Sequence, residues 1–294
     1  MKTFRESITE SDLTITAELK LPPGSNATTV IEQARLLRPV VDGIVVPDSP
    51  DARVQISAIA ASSLLIQHDV DPIPLMSCRD RNRIALQSDL LGAAAIGVSS
   101  LILMRGDNVP DNDDAPFKPV FELGARKLIA SAQAVQSEQL AADVSGFYIG
   151  SVATVFRPKP TWTPDSLFVK REAGVQFIQT QPCFDMDVLK RYMARLVAAK
   201  FTWRASVVVG VAPLPSADTA RWLRDNLRGS LMPDSTIKRL DQARDSEQEG
   251  VDICAELLQE LAEIPGVSGA SIMSPGDPET IPAAIRAAGL ASEN

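Results

Sequence analysis

Three sets of residues in this chain have the types and spacing that acid–base and positioning chemistry need. A lone carboxylate, Glu18, sits inside the otherwise apolar, β-rich run Thr14–Lys20. A polar cluster, Ser77-Cys78-Arg79-Asp80-Arg81-Asn82-Arg83, opens a helix-like segment, and the apolar run Leu101–Met104 stops abruptly at Arg105-Gly106-Asp107. Two amides, Gln179 and Gln181, close a third β-rich run. A carboxylate within an apolar strand needs a functional or a paired reason to exist. Desolvation would raise its pKa and keep it protonated near neutrality, as a general acid requires. The other reading of Glu18 is a buried ion pair with Arg79 or Arg105. Asp107, at a more open strand end, is expected to stay ionised. Gln179 and Gln181 either bind a substrate or cap backbone groups. The arginine cluster is either a solvated helix start or an anion site of the kind helix N-termini form.

The elements that must position these residues follow from periodicity. Short apolar runs bounded by turn residues read as buried strands. They fall at Thr14–Lys20, Gly43–Val46, Ile73–Met76, Leu101–Met104, Phe147–Ala153, Val175–Thr180, Ala205–Val211 and Val267–Met273. Helical patterns lie between them, over Thr28–Leu37, Arg53–Ile66, Ala85–Ile96, Phe121–Gln136, Pro164–Glu172 and Asp187–Ala199. Further helices are expected over Asp218–Asn226, Ser235–Arg244, Glu247–Ile264 and Ile281–Ala288. Continuous apolar strands separated by helices imply a parallel sheet covered on both faces. Eight such units in 294 residues suit a single (β/α)8 TIM barrel spanning residues 1–294. An open doubly wound sheet would want a Gly-rich phosphate turn, and no G-x-G-x-x-G occurs. A barrel places its chemistry at the C-terminal strand ends. In order these are Glu18, Asp48, Ser77 with Arg79, Asp107, Thr154 with Arg157, Gln179 with Gln181, Pro213 and Ser274. The Asp-, Asn- and Pro-rich loop Asn108–Pro119 is longer than usual connections and is a functional candidate.

Composition narrows the partners. Apolar residues make up 45% and charged residues 22%, ample for a core and typical of soluble globular proteins. A net charge of −8 argues against nucleic acid, which wants clustered Lys and Arg. The N-terminus lacks the apolar core of a signal peptide, and the most apolar window is too short and broken to span a bilayer, so a cytoplasmic location is expected. With three scattered cysteines (Cys78, Cys183, Cys254) and one histidine, neither a disulfide framework nor a metal site is expected.

In these motifs the sequence resembles the methylenetetrahydrofolate reductase family. Glu18 with Leu21-Pro22-Pro23 resembles the family's first-strand glutamate and Pro-Pro turn. Ser77-Cys78-Arg79-Asp80-Arg81-Asn82 resembles its Thr-Cys-Arg-Asp-Arg-Asn segment, and Arg105-Gly106-Asp107 its strand-four Arg/Thr-Gly-Asp. Ala173-Gly174-Val175-Gln176-Phe177-Ile178-Gln179-Thr180-Gln181 resembles its Ala-Gly-Ala-x-Phe-x-x-Thr-Gln segment. The resemblance implies a (β/α)8 enzyme that reduces 5,10-methylenetetrahydrofolate to 5-methyltetrahydrofolate, in one-carbon and methionine metabolism, through FAD reduced by NADH or NADPH. By position, Glu18 would be the general acid and Asp107 and Gln181 would hold the pterin, with Gln179 beside them. Ser77, Arg79, Arg105, Gly106, Asp107 and Lys170 would lie along the flavin. The chain departs from the family where Leu75 replaces a flavin-side histidine, and at Ala153, Arg157 and Pro47 or Asp48. The aromatic expected over the folate after strand seven falls near Ala217. Two alternatives stand beside the flavoenzyme: a flavin-free reductase taking hydride directly from NADH, and a folate-binding barrel without catalysis. A homo-oligomer is expected, as for most soluble enzymes.

Overall fold

Eight parallel strands pair in sequence order and close on themselves: β1 (Thr14–Glu18), β2 (Gly43–Val46), β3 (Pro72–Ser77), β4 (Ser100–Met104), β5 (Tyr148–Ala153), β6 (Phe177–Pro182), β7 (Ser206–Val211) and β8 (Gly269–Ile272). The computed structural model describes residues 2–50, 53–108, 117–138, 146–227 and 229–291. Helices α1 (Phe4–Glu10), α2 (Ala27–Leu37), α3 (Ala58–Ile66), α4 (Arg83–Ala95), α5 (Ala125–Glu138) and α6 (Asp165–Glu172) cover the first half. Helices α7 (Met186–Ala198), α8 (Ala217–Asn226), α9 (Asp234–Gln242), α10 (Ser246–Ala262) and α11 (Thr280–Ala287) complete the ring. The architecture is the expected (β/α)8 barrel.

Strand alternation sorts the core into two compartments. Outward residues such as Ala17, Leu101, Ile149 and Val209 pack against the helices in one large cluster. Inward residues Val45, Ile73, Ile102, Tyr148, Phe177 and Val208 fill the lower barrel. That lower layer is sealed by α1, which the sequence reading did not anticipate. Its signal was local: Thr3 and Glu6 form a reciprocal capping box. Phe4 inserts edge-on against Phe177 at 5.1 Å, and its backbone N–H donates to the Asp71 carboxylate at 2.7 Å. Phe4→Ala is expected to destabilise the barrel by about 3–5 kcal/mol, the usual cost of emptying an aromatic site. Chemical denaturation checks it; an unchanged midpoint would show that α1 is not a structural plug.

Several boundaries differ from expectation, each for a visible reason. The third helix begins at Ala58 rather than Arg53, because Gln55 folds back to donate to the Pro47 carbonyl at 2.5 Å. The fifth begins at Ala125 rather than Phe121, whose φ of 42° lies outside helical space. The sixth strand runs two residues further, to Pro182, with a register shift against β7 between Gln179 and Pro182. Of the loop Asn108–Pro119, residues 109–116 lie outside the described residues. Among the described residues, no helix is long and apolar enough to cross a membrane.

Candidate active site

The upper barrel differs in kind from the lower. Above the Phe177 layer the inward positions become Glu18, Leu75, Met104, Val152, Gln179 and Ser271, and with Gln181 at the rim they line a cavity of about 220 Å³. Glu18 is the last residue of β1, held in register with Val45 of β2. It is partly accessible through the cavity, yet protein surrounds it closely enough that burial pushes its carboxyl up to about 7. No ion pair engages it among the described residues. The alternative of a pair with Arg79 or Arg105 is therefore not what the structure has. A carboxyl that keeps its proton near neutrality and faces a cavity can donate that proton.

Gln179 and Gln181 alternate along β6, so both face the lumen. The longer strand is what brings Gln181 there: Pro182 has no N–H for the ladder, and the strand stays extended through a shift of register against β7. Thr180 holds the irregularity, donating to the Gln181 carbonyl at 2.9 Å and accepting from Gly210 N–H at 3.0 Å. Neither glutamine amide bonds to another described residue, so neither acts as a backbone cap there. Asp107, exposed beyond β4, borders the same cavity.

The remaining predicted positions are placed differently. Ser77 is 1% exposed; its N–H donates to Asp48 at 2.7 Å, and its hydroxyl has no partner among the described residues. Gly106, at φ +83°, lies where a Cβ would be 3.0 Å from Arg79 Cβ and 3.2 Å from Ser77 Cβ. Its bareness lets the β4 end close onto β3. Arg79 borders the cavity, but its guanidinium is forked onto Asp80 at 2.7 and 2.8 Å and donates to the Ser49 carbonyl at 2.7 Å. Arg81 pairs with Asp48 and, at 2.8 Å, with Asp89, while Arg83 meets Glu122. The three arginines of the cluster are thus engaged within the protein. Arg105 lies over the Phe121 ring at 4.1 Å and bonds Asn108 at 2.8 Å. Lys170, on α6, donates to the Val152 carbonyl at 2.6 Å, and burial lowers its pKa. Arg105, Gly106, Ser77 and Lys170 do not line the cavity.

Two contributors went unread in the sequence. Asp48 had only a position; it joins the ends of β2 and β3 through Ser77 N–H and Arg81, and burial pushes its carboxyl up while Arg81 opposes. Trp222 supplies an aromatic wall about five residues beyond the position near Ala217. The signal was available: α8 buries Ala217, Ala220 and Leu223, yet carries a tryptophan that remains 54% exposed.

Comparison with known proteins places the chain. Among solved structures, an uncharacterized protein from Clostridium thermocellum, described as binding two copies of 5-methyl-5,6,7,8-tetrahydrofolic acid, superposes with a TM-score of 0.65 at 16% identity. The match covers 97% of this chain and 96% of that one. An open form of tryptophan synthase from M. tuberculosis gives 0.52 at 14% identity, over 98% and 96% of the two chains. At such identities the likeness is one of fold. A comparison with curated proteins finds no match. The sequence fits the profile of one family over residues 3–273, nearly its whole length. With that match added to the barrel and its motif-bearing strand ends, the chain belongs to the methylenetetrahydrofolate reductase family.

Proposed function

We propose that this barrel reduces 5,10-methylenetetrahydrofolate to 5-methyltetrahydrofolate, the whole chain acting as one catalytic domain, with Glu18 as proton donor. The observation that carries the reading is Glu18 itself: a carboxyl held near pKa 7, free of ion pairs among the described residues, in a cavity also lined by Asp107, Gln179 and Gln181. A barrel that only bound folate would have no use for a carboxyl desolvated at such cost. The structural relative described as binding 5-methyltetrahydrofolate supports the ligand class.

Each residue then has a task. Glu18 delivers its proton to N10 as the C–N10 bond of the imidazolidine ring opens, leaving an N5-iminium. Hydride adds to the exocyclic methylene carbon and completes the methyl group. Asp107 accepts hydrogen bonds from the pterin N–H groups, while the amides of Gln179 and Gln181 fix its orientation. Trp222 offers a flat face to an aromatic ring.

Among the described residues, the side chains at the family's flavin positions are turned toward this chain itself. The Ser77 hydroxyl is enclosed, a Cβ on Gly106 would meet Ser77 and Arg79, and Arg79 and Lys170 donate to this chain's own oxygens. These observations favour hydride supplied directly by NADH or NADPH, without bound FAD.

The test is turnover of methylenetetrahydrofolate by the purified protein, with its visible spectrum recorded. A colourless protein that forms 5-methyltetrahydrofolate in step with NADH or NADPH oxidation is the expected result. A retained flavin band would refute the flavin-free reading, and absence of turnover with every donor would refute catalysis. Trp222→Ala is expected to raise KM for the folate about tenfold with kcat little changed, since a stacking wall contributes about 1 kcal/mol or more to ring binding.

A further inference from the structure

At the opposite end of the barrel from Glu18, a cavity of about 540 Å³ lies at the N-terminal ends of β5, β6 and β7. We propose that it binds a small multivalent anion, of phosphate or carboxylate type, through Arg5, Arg171 and Arg204.

Charge sets this cavity apart. The chain carries a net charge of −8, yet three guanidinium groups line the cavity against one carboxylate, Glu172. The arginines come from places far apart in sequence: α1, the last turn of α6 and the approach to β7. None of them enters a salt bridge with another described residue. Like charges gathered around one space repel, and an anion in that space relieves the repulsion. Arg171 also stands at the negative end of α6, but that end is already closed. Gly174, at φ +116°, lets the N–H groups of Ala173, Gly174 and Val175 reach the carbonyls of Val169, Arg171 and Lys170 at 3.2, 2.9 and 3.2 Å.

The donors are held in place. Arg171 lies over the Phe168 ring at 4.7 Å, and Arg5 gives one N–H to the Gly146 carbonyl at 3.1 Å. Each keeps further N–H groups, because a guanidinium carries several. Two glycines bring amides to the same space. A Cβ on Gly174 would lie 2.5 Å from Gln133 Nε2, and one on Gly146 would lie 2.7 Å from Gln136 Oε1. Gln176 accepts from the Ile149 N–H at 3.1 Å, which leaves its NH2 group to donate. Planar guanidinium groups pair with carboxylate and phosphate through two parallel bonds, so a donor set of this kind matches an anion with several oxygens.

Position separates this ligand from the reaction. Phe4, Tyr148 and Phe177 form a packed layer inside the lower barrel, while Glu18, Asp107, Gln179 and Gln181 line the other cavity. An anion at the three arginines touches none of the reacting groups. Its effect is to tie α1, whose Phe4 plugs the barrel floor, to α6 and the approach to β7. The site therefore stands independently of the folate reading.

The experiment titrates sodium pyrophosphate and sodium citrate, at constant ionic strength, by calorimetry into wild-type protein and into Arg204→Glu and Arg171→Gln. Thermal melts without anion confirm that each variant keeps its fold. At least one anion is expected to bind wild type with a single site and to raise its melting point, as any ligand of the native state must. Each variant should weaken that binding about tenfold or more, the loss of a charge-assisted contact. Affinity for 5-methyltetrahydrofolate should change by less than about twofold, because the two sites share no residue. Preference for pyrophosphate would make the occupant a phosphate compound and preference for citrate a polycarboxylate; either upholds the site. Binding of neither anion, affinity unchanged in both variants, or competition with 5-methyltetrahydrofolate would overturn it. A wild-type dimer that dissociates in Arg204→Glu and binds no anion would make the cavity an interface between copies, and overturn it too. Anion binding that is sensitive to both variants in a protein that binds no folate would uphold the site while refuting the folate reading.

Discussion

Glu18→Gln is expected to lower folate turnover by about 10²–10⁴-fold, the range that a positioned general acid contributes, while making the protein more stable at pH 8. Both effects come from one fact, that burial pushes the carboxyl up to about 7. In the wild type, activity should fall as pH rises through 7, because the deprotonated carboxylate has no proton for N10. In the variant the residual rate should lose that dependence. For stability, the folded protein binds a proton that the unfolded chain releases between about 4.5 and 7. The stabilising contribution of the protonated group is therefore complete below pH 4.5 and lost as pH rises through 7. Glutamine has the same shape without the charge, so at pH 8 it should gain on the order of 2–3 kcal/mol over wild type, shrinking toward zero near pH 4.5. Paired melts across this range, with turnover at each pH, provide the check. A variant that is equally stable at every pH would mean Glu18 is well solvated, and the general-acid assignment would lose its basis.

Gly250→Ala should be among the most destabilising single-methyl additions in the chain, at about 3 kcal/mol or more. Helix propensity predicts the opposite, since alanine inside a helix is better than glycine by about 1 kcal/mol. Gly250 lies in the first turns of α10, where its missing Cβ makes room for the backbone of Leu214. A Cβ would overlap the Leu214 carbonyl oxygen and lie 2.7 Å from its carbonyl carbon and 2.8 Å from its nitrogen. Backbone cannot rotate aside as a side-chain tip can, so overpacking here forces the β7–α8 connection to move. That connection leads into the Ser216 cap of α8, and so to Trp222. The expected result is a lowered melting point together with weaker folate binding. Gly92→Ala is the control: the nearest atom to its Cβ is Ile59 Cγ2 at 3.9 Å, so propensity should win and the variant should gain roughly 0.5–1 kcal/mol. If both substitutions behave alike, the close approach of α10 to Leu214 is not what sets the choice of glycine.

The contrast between these glycines marks where sequence reading stops. Apolar runs alternating with helical periods were enough to give eight strands, their order and a closed barrel, because strand burial and helix amphipathicity are written into neighbouring residues. They also placed Glu18 and Asp107 at or just beyond strand ends, since the C-terminal end of a buried run can be located to within a few residues. Gln181 was named, but its place inside the lumen depends on a strand continued through a register shift at Pro182. Whether an arginine is available is a matter of partners. The resemblance placed Arg79 and Lys170 along a flavin; what the fold adds is that Arg79 meets Asp80 and the Ser49 carbonyl, and that Lys170 reaches Val152 across the β5–α6 connection. Trp222 could not be foreseen as a cavity wall, because it takes its meaning from chain segments far apart in sequence. The sequence by itself thus determined the barrel, the carboxylate inside its first strand and the family, all of which depend on local pattern and motif. Only the tertiary structure decided which charged groups meet partners within the chain and which aromatic faces the cavity, because those depend on long-range contacts that no local pattern encodes.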